Sequence, residues 1–205
     1  PPSVGPMQFV RYQHGGTPAW GVRDGESVYA LSTLAAGEPS LEDLANDSYR
    51  ETVERALGAG TLRDPLPADA VDFLAPVPRP GKIVCVGLNY HDHAREGGND
   101  VPETPMLFSK APTAVVNPGD PIVRPAIIEE VDYEIELGAV VGRTARHVDA
   151  ADAEDYLAGY TVFNDVSGRD AQFNDGQYFR GKGFDTFAPM GPALTTTDAV
   201  DPTDL

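Results

Sequence analysis

The sequence predicts a strand-rich α+β fold, and three observations lead to this prediction. Short segments that alternate apolar and polar residues recur along the chain, as in Met7–Tyr12 and Ala19–Val22, and a period of two is typical of strands with one buried face. Gly-Gly and Asp-Gly turns separate the first of these segments, as in antiparallel hairpins. A longer helical signal begins at Ser40, a residue type that commonly caps helices.

Composition and charge narrow the class of protein. The chain has 205 residues, of which 41% are hydrophobic, so it can bury a real core. A net charge of −17 argues against nucleic acid or an anionic membrane as a partner, and no apolar run has the length of a membrane span. The single cysteine indicates a reducing compartment, so we predict a cytoplasmic protein. Abundant Asp and Glu with only three lysines predict a salt-rich, halophilic source.

The first half of the chain predicts a small N-terminal α/β domain. Residues 7–31 are predicted to form an antiparallel meander, and the helix that begins at Ser40 is expected to extend towards Leu57. The proline-rich run at 75–81 cannot be helix or central strand. We therefore place one domain at residues 1–75 and a second at 76–205, although the run could also be an arm that crosses onto the second domain. Residues 1–6 we interpret as a leader or added segment before a native start at Met7.

A pair of residues after the next strand could act as a general base. Lys82–Gly87 is predicted to be a short buried strand with Cys85 inside the core. His93 and Glu96 follow it and are three residues apart, so on a helix they share one face. A carboxylate beside an imidazole raises its basicity and fixes its tautomer. The alternative is an ordinary surface pair.

Two strands carry carboxylates that could meet at a metal ion. In Val131–Gly142, Tyr133 and Ile135 alternate with Glu134 and Glu136, which predicts one half-buried strand with both glutamates on one face, about 7 Å apart at roughly 3.3 Å per residue. Asp165 follows the strand Tyr160–Phe163 and would add a third carboxylate. Three carboxylates without His or Cys favour Mg²⁺, Mn²⁺ or Ca²⁺. In so acidic a chain, a solvated strand face is the alternative.

The segment Phe179–Pro192 combines aromatics and glycines with one lysine. It has little periodicity and predicts an irregular loop. Lys182 could present its ammonium group to an anionic substrate or intermediate, or the segment could simply be a packed loop.

These motifs together resemble the fumarylacetoacetate hydrolase superfamily, in its acylpyruvase and 2-hydroxyhepta-2,4-diene-1,7-dioate isomerase-like branch. The resemblance covers residues 76–193 in the family's order, and residues 7–75 resemble the small N-terminal domain of its bacterial and archaeal members. It rests on several separately spaced motifs, which are Val86–Tyr90 with His93 and Glu96, Asp132–Leu137, Asn164-Asp165 with Arg169 and Gln172, and Gly181–Phe187 followed by Pro189–Pro192.

The resemblance implies a fold and a role for each matching residue. The fold is a mixed β-sandwich or roll of the family's C-terminal-domain type, commonly assembled as a homodimer. Divalent metal, usually Mg²⁺ with Mn²⁺ or Ca²⁺ as substitutes, is held by three carboxylates, and other residues position water, contact substrate or lie beside the metal. By position, the metal ligands are Glu134, Glu136 and Asp165, the water-activating dyad is His93 and Glu96, the substrate contacts are Arg169 and Gln172, and the lysine beside the metal is Lys182.

The implied activity is metal-dependent hydrolysis of a C–C bond in an acylpyruvate-like 2-oxo acid, with the metal as a Lewis acid that stabilises the departing enolate. Isomerisation, decarboxylation and dehydration of 2-keto-3-deoxy sugar acids occur on the same scaffold and stay open. A non-catalytic metal-binding protein is the alternative from another class. Family members usually continue beyond the position of Leu205, so we expect the second domain to lack its C-terminal part.

Overall fold

The fold is described by a computed structural model that covers residues 6–34 and 37–205. It is α+β and strand-rich, as predicted. The strands are β1 Gln8–Gln13, β2 Ala19–Asp24, β3 Ser27–Ala30, β4 Leu66–Pro67, β5 Asp72–Leu74, β6 Ile83–Gly87, β7 Met106–Lys110, β8 Val115–Val116, β9 Val131–Asp132, β10 Ile135–Val141, β11 Leu157–Asn164, β12 Ser167–Gly168, β13 Ala188–Pro189 and β14 Ala193–Thr195. The α-helices are α1 Leu41–Leu44, α2 Asp47–Gly58, α3 His91–Glu96, α4 Arg169–Asp175 and α5 Phe179–Lys182.

Two compact units make up the chain, and each consists of separate segments. The first contains the N-terminal segment through Pro76, Glu136–Phe163 and Met190–Leu205, and the second contains Val77–Ile135 and Asn164–Pro189. The predicted domain boundary between residues 75 and 76 cuts the sequence once, whereas these units combine separate segments. That boundary stays a prediction. The interpretation of residues 1–6 falls, apart from Pro6, outside the described residues.

The largest sheet of the described residues confirms the predicted meander. Its strand order is β10-β11-β14-β1-β2-β3-β4, with β5 also paired to β1. β1, β2 and β3 follow one another as antiparallel neighbours. Alternation along them buries one set of side chains together, namely Val10, Tyr12 and Val28 with Ala68 and Val71.

The predicted helix is present, but it is divided into α1 and α2. Ser40 caps α1 with a capping box: its hydroxyl accepts from the Asp43 backbone N–H at 3.1 Å, and its own N–H donates to the Asp43 carboxylate at 2.8 Å. The chain leaves the helical path at Asn46, whose side chain caps α2. The Asp43 carboxylate accepts hydrogen bonds from Ser40, chiefly from the Ser40 backbone N–H. These bonds lower the pKa of Asp43 below its usual 3.8.

Replacing Ser40 with alanine is expected to lower the free energy of unfolding by about 0.5–2 kcal/mol, because Ala cannot accept the Asp43 N–H. Urea denaturation measures the change, and the exposed Ser32→Ala should stay within about 0.5 kcal/mol. Since the folded-state pKa of Asp43 is lowered, the wild-type advantage should be full above the unfolded pKa and should shrink as pH falls through the folded value. An equal loss in both variants would contradict the capping box.

The strand predicted over Val131–Gly142 is wrong in one respect. The structure interrupts it at residues 133–134, between β9 and β10. Tyr133 and Ile135, expected in the core, are 70% and 61% exposed, whereas the Glu134 side chain is only 14% exposed. The carboxylate is buried because cations surround it, so electrostatic pairing overrides the hydrophobic alternation here.

A short strand is present as predicted at Lys82–Gly87, where β6 spans Ile83–Gly87, but the prediction that it is buried is wrong. β6 pairs antiparallel with β7 in a two-stranded sheet, and one face of this sheet carries the exposed side chains of Val84, Val86 and Leu107. Cys85 points to the other face and is half-buried. The faces of a sheet are buried by a packed helix or a second sheet, and the exposure of these three side chains shows that no such layer of the described residues covers this face. Within the described ranges, no helix is long and apolar enough to cross a membrane.

Candidate active site

Backbone pairing in the second unit brings two of the predicted metal ligands together. The short strands β9 and β12 are antiparallel, with Ser167 opposite Asp132. Next to this pair, the Asp165 N–H donates to the Glu134 carbonyl at 2.8 Å. The two carboxylates therefore start from adjacent backbone positions, although 31 positions separate them in sequence.

A glycine lets the lysine approach them. Helix α5 packs so closely that a Cβ on Gly181 would lie 2.8 Å from the Gln172 nitrogen and 2.9 Å from the Gly168 carbonyl oxygen. Neither backbone could move aside without disturbing α4 or β12. Gly181 therefore allows the contact that carries the next residue, Lys182, into the site.

Six charged side chains meet around Glu134 and Asp165, and we call them the charged cluster. Lys182 Nζ donates to Glu134 Oε2 at 2.9 Å and to Asp165 Oδ2 at 2.6 Å. Lys110 Nζ lies 2.5 Å from Asp165 Oδ1 and 3.0 Å from the Val166 carbonyl oxygen. The cluster has three cations and three anions and consists of Lys110, Arg169, Lys182, Asp132, Glu134 and Asp165.

Arg169, at the start of α4, links Asp132 to Glu134 on the more exposed side of the cluster. Its Nε and Nη2 donate to Asp132 Oδ2 at 3.0 and 2.7 Å, and its Nη1 lies 2.6 Å from Glu134 Oε1. The same nitrogen donates to Gln172 Oε1 at 2.9 Å. The predicted substrate contacts, Arg169 and Gln172, are thus fixed together beside Glu134, with the Gln172 carbonyl oxygen engaged and its amide hydrogens turned elsewhere.

Burial and pairing oppose each other in the pKa values of these groups. Burial raises the pKa of Glu134, but Lys182 and Arg169 outweigh it and the net pKa is lowered. The hydrogen bonds from Arg169 lower the pKa of Asp132. Burial lowers the pKa of Lys110, although Asp165 opposes this effect. Glu134 and Asp132 are therefore ionised at neutral pH.

The donor set partly matches the predicted metal site. Glu134 and Asp165 converge on one cationic nitrogen, and carboxylate oxygens are the donors that Mg²⁺, Mn²⁺ and Ca²⁺ prefer. Glu136, the third predicted ligand, lies in β10 in a segment of the first unit. No group of three or more His, Cys, Asp or Glu side chains within residues 6–34 and 37–205 is arranged to hold a metal ion. The structure thus brings two of the three carboxylates together, and an ammonium group lies between them.

The predicted dyad lies on one turn of α3. His93 and Glu96 are both exposed. In the described part of the chain, their side chains are not hydrogen-bonded to each other or to the charged cluster, because both reach into solvent from a six-residue helix. Their assignment as a general base stays a prediction.

Sequence reasoning missed Lys110 as a site residue. It ends the apolar segment Met106–Phe108 of β7, and its side chain is fully buried. A lysine in an apolar strand needs a buried anion, so its position was a usable signal. The partner, Asp165, is 55 residues further along the chain, and the sequence does not indicate which carboxylate it meets.

Comparison with known proteins identifies the class. A family model described as fumarylacetoacetate (FAA) hydrolase C-terminal matches residues 82–205, and one described as Rv2993c-like, N-terminal, matches residues 7–76. The chain belongs to the fumarylacetoacetate hydrolase family, as its motifs predicted.

Particular relatives are enzymes that differ in their reactions. Mitochondrial oxaloacetate tautomerase FAHD2A of Bos taurus is 43% identical over 97% of this chain and 66% of its own length. The structure of fumarylacetoacetate hydrolase (EaFAH) from psychrophilic Exiguobacterium antarcticum is 33% identical with a TM-score of 0.77, over 96% of this chain and 69% of that one. Maleylpyruvate hydrolase from Sphingobium sp. SYK-6, solved in complex with manganese (II) ion and pyruvate, is 31% identical with a TM-score of 0.73, over 95% and 69%. The chain therefore spans about two thirds of the length of these relatives.

Proposed function

We propose that this chain belongs to a divalent-metal-dependent enzyme that cleaves a C–C bond in an acylpyruvate-like 2-oxo acid. The observation that carries the proposal is the convergence of Glu134 and Asp165 on one cationic nitrogen beside the Arg169–Gln172 pair. The maleylpyruvate hydrolase relative, solved with manganese and pyruvate, supports this choice of metal and substrate class.

Glu134 and Asp165, with Glu136 as the further predicted ligand, would hold Mg²⁺, Mn²⁺ or Ca²⁺. When bound, such an ion supplies Lewis acidity towards the oxygens of a 2-oxo acid. The low pKa of Glu134 keeps this ligand ionised at neutral pH.

The residues around the carboxylates would hold and orient the substrate. Gln172 is fixed by Arg169 through its carbonyl oxygen, so its amide group can donate to a substrate oxygen. Arg169 and Lys182 place two positive charges next to the site, and fixed charges stabilise the negative charge that develops when the C–C bond breaks. In the structure, carboxylates of the charged cluster hold both cations next to the site.

His93 and Glu96 would supply the hydrolytic step. Their spacing on α3 puts both side chains on one face of the helix. His93 would take a proton from water as it attacks the distal carbonyl, and Glu96 would stabilise the resulting imidazolium. The accessible position of His93 is compatible with a base that meets its substrate from solvent.

Keto–enol tautomerisation of oxaloacetate is a second candidate, favoured by the 43% identity to an oxaloacetate tautomerase. Tautomerisation moves a proton and needs no attacking water. It would use the charged cluster in the same way, whereas the hydrolytic role of His93 would not be required.

The two candidates can be separated with Mn²⁺-loaded protein and a panel of acylpyruvates and oxaloacetate. We expect acylpyruvate cleavage in the wild type and a loss of about 10²–10⁴-fold in His93→Ala, because general base catalysis contributes that much. Mn²⁺ affinity should be unchanged. His91→Ala, an exposed histidine on the same helix, is the matched control and should retain activity.

Three other results would change the assignment. Full cleavage by His93→Ala would remove the base from the mechanism. Oxaloacetate tautomerisation without acylpyruvate cleavage would select the second candidate. Mn²⁺ binding without turnover of any substrate would favour a non-catalytic metal-binding protein. Within the proposal we also place a homodimer, a cytoplasmic location and a salt-rich source, all of which stay predictions.

A further inference from the structure

The ammonium group of Lys182 lies between two carboxylates and beside an aromatic ring. Two of its hydrogens are used by Glu134 and Asp165, at 2.9 and 2.6 Å. The nitrogen also lies 5.0 Å from the ring centroid of Phe108, a cation–π distance. Phe108 in turn packs edge to face against Tyr178. With the side chain only 2% exposed, Lys182 is an interior cation in this arrangement, and carboxylates hold two of the three hydrogens of its ammonium group.

This arrangement has a consequence for cation binding. The three cations and three anions of the charged cluster balance, so a divalent cation would bring excess positive charge into a site whose charges are already paired. The oxygens that it would need are those that hold Lys182. Two cations on the same pair of oxygens would repel each other strongly, because water is largely excluded there.

We propose that Lys182 is an internal counter-cation that competes with the divalent metal: its ammonium group holds Glu134 and Asp165 together, and metal binding displaces it from them. The inference rests on the metal site of the proposed function and deepens it. It gives the lysine two states, one paired with the carboxylates and one released towards the substrate. The Lys182 charge would then become available to a 2-oxo acid only when the metal is bound.

Lys110 provides an internal comparison. It is also a buried lysine bound to Asp165, but it uses the other carboxylate oxygen and the Val166 carbonyl, and it is not bonded to Glu134. Removing either lysine takes one positive charge from the same carboxylate. Only Lys182 lies between the two carboxylates, so only its removal vacates the bridging position.

Mn²⁺ titration, followed by the electron paramagnetic resonance signal of the free ion, tests the proposal without using activity. Lys182→Met is expected to tighten Mn²⁺ binding at least tenfold more than Lys110→Met does. Lys182→Arg keeps the charge, and its planar guanidinium can hydrogen-bond both carboxylates more firmly than an ammonium group does. It should therefore weaken Mn²⁺ binding at least threefold. Lys82→Met removes an exposed lysine and should leave the affinity within twofold of wild type.

The outcomes separate this inference from the proposed function. If the wild type binds Mn²⁺ and Lys182→Met binds it no more tightly than Lys110→Met, competition is refuted while the metal site stands. If neither the wild type nor any variant binds Mn²⁺, the metal site and the proposed function fail together. Binding by Lys182→Met alone would support competition. Should a methionine variant fail to fold by circular dichroism, Lys182→Arg decides, and unchanged or tighter binding in it would overturn the proposal.

Discussion

Replacing Asp165 with asparagine is expected to lower the free energy of unfolding by about 3–5 kcal/mol, the typical cost of breaking a buried ion pair from one side. Asp165 neutralises two ammonium groups, one on each oxygen, and the side chains of Lys110 and Lys182 are 0% and 2% exposed. Asparagine keeps the shape of the residue but leaves both charges without this anion. Glu134 can still pair with Lys182, whereas Lys110 keeps only the Val166 carbonyl.

A double variant shows whether the loss comes from the unpaired charge. Lys110→Met alone should also destabilise, because it leaves Asp165 with one cation fewer. Combined with Asp165→Asn, it should recover about 1–3 kcal/mol relative to the sum of the single changes, as expected for residues in direct contact. Urea denaturation of the four proteins measures this coupling, and additive losses would show that the two residues do not interact.

Activity should not recover with stability. The stabilised double variant still lacks one of the carboxylates that converge on the site, so turnover should stay at least 100-fold below wild type and Mn²⁺ binding should stay weak. A double variant that regains both stability and turnover would remove Asp165 from the proposed metal ligands and leave it a structural role alone.

The parts of the fold that the sequence predicts correctly are those decided by neighbouring residues. The β1–β3 meander follows from alternation and Gly-containing turns, and the start of α1 follows from Ser40 and the acidic residue three positions later. The family follows from motif order and spacing. For the meander and the helix start, the information lies within a few residues of the feature.

What could not be predicted depends on partners that are distant in sequence. Glu134 is buried because cations from α4 and α5 meet it, and the local alternation at 131–137 contains no trace of them. The burial of Lys110 depends in the same way on Asp165. The charges themselves were visible in the sequence, but which charge pairs with which is decided only when the segments Val77–Ile135 and Asn164–Pro189 pack together.

Arg50 is a buried charged residue of the first unit, and its replacement is expected to destabilise the fold. It lies in α2 with 8% exposure, and its Nε and Nη2 donate to the carbonyl oxygens of Leu44 and Ala158 at 2.7 and 3.0 Å. It therefore ties the end of α1 and strand β11 to α2. Burial lowers its pKa, but a guanidinium stays protonated at neutral pH. Its contribution is the pairing of two buried carbonyls.

Arg50→Ala should lower the free energy of unfolding by about 2–5 kcal/mol, since each orphaned buried acceptor costs about 1–3 kcal/mol. Arg55→Ala changes an exposed arginine of the same helix and should stay within about 0.5 kcal/mol. The contact of Arg50 with Asp47 is long, at 3.9 Å, and Asp47 is exposed, so Asp47→Ala should cost at most about 1 kcal/mol. If Asp47→Ala were as damaging as Arg50→Ala, the ion pair would be the source of stability and the carbonyl bonds would not. Lysine cannot span the two carbonyls as a guanidinium does. If Arg50→Lys retained full stability, one hydrogen-bonded amine at this position would therefore be enough to stabilise the fold.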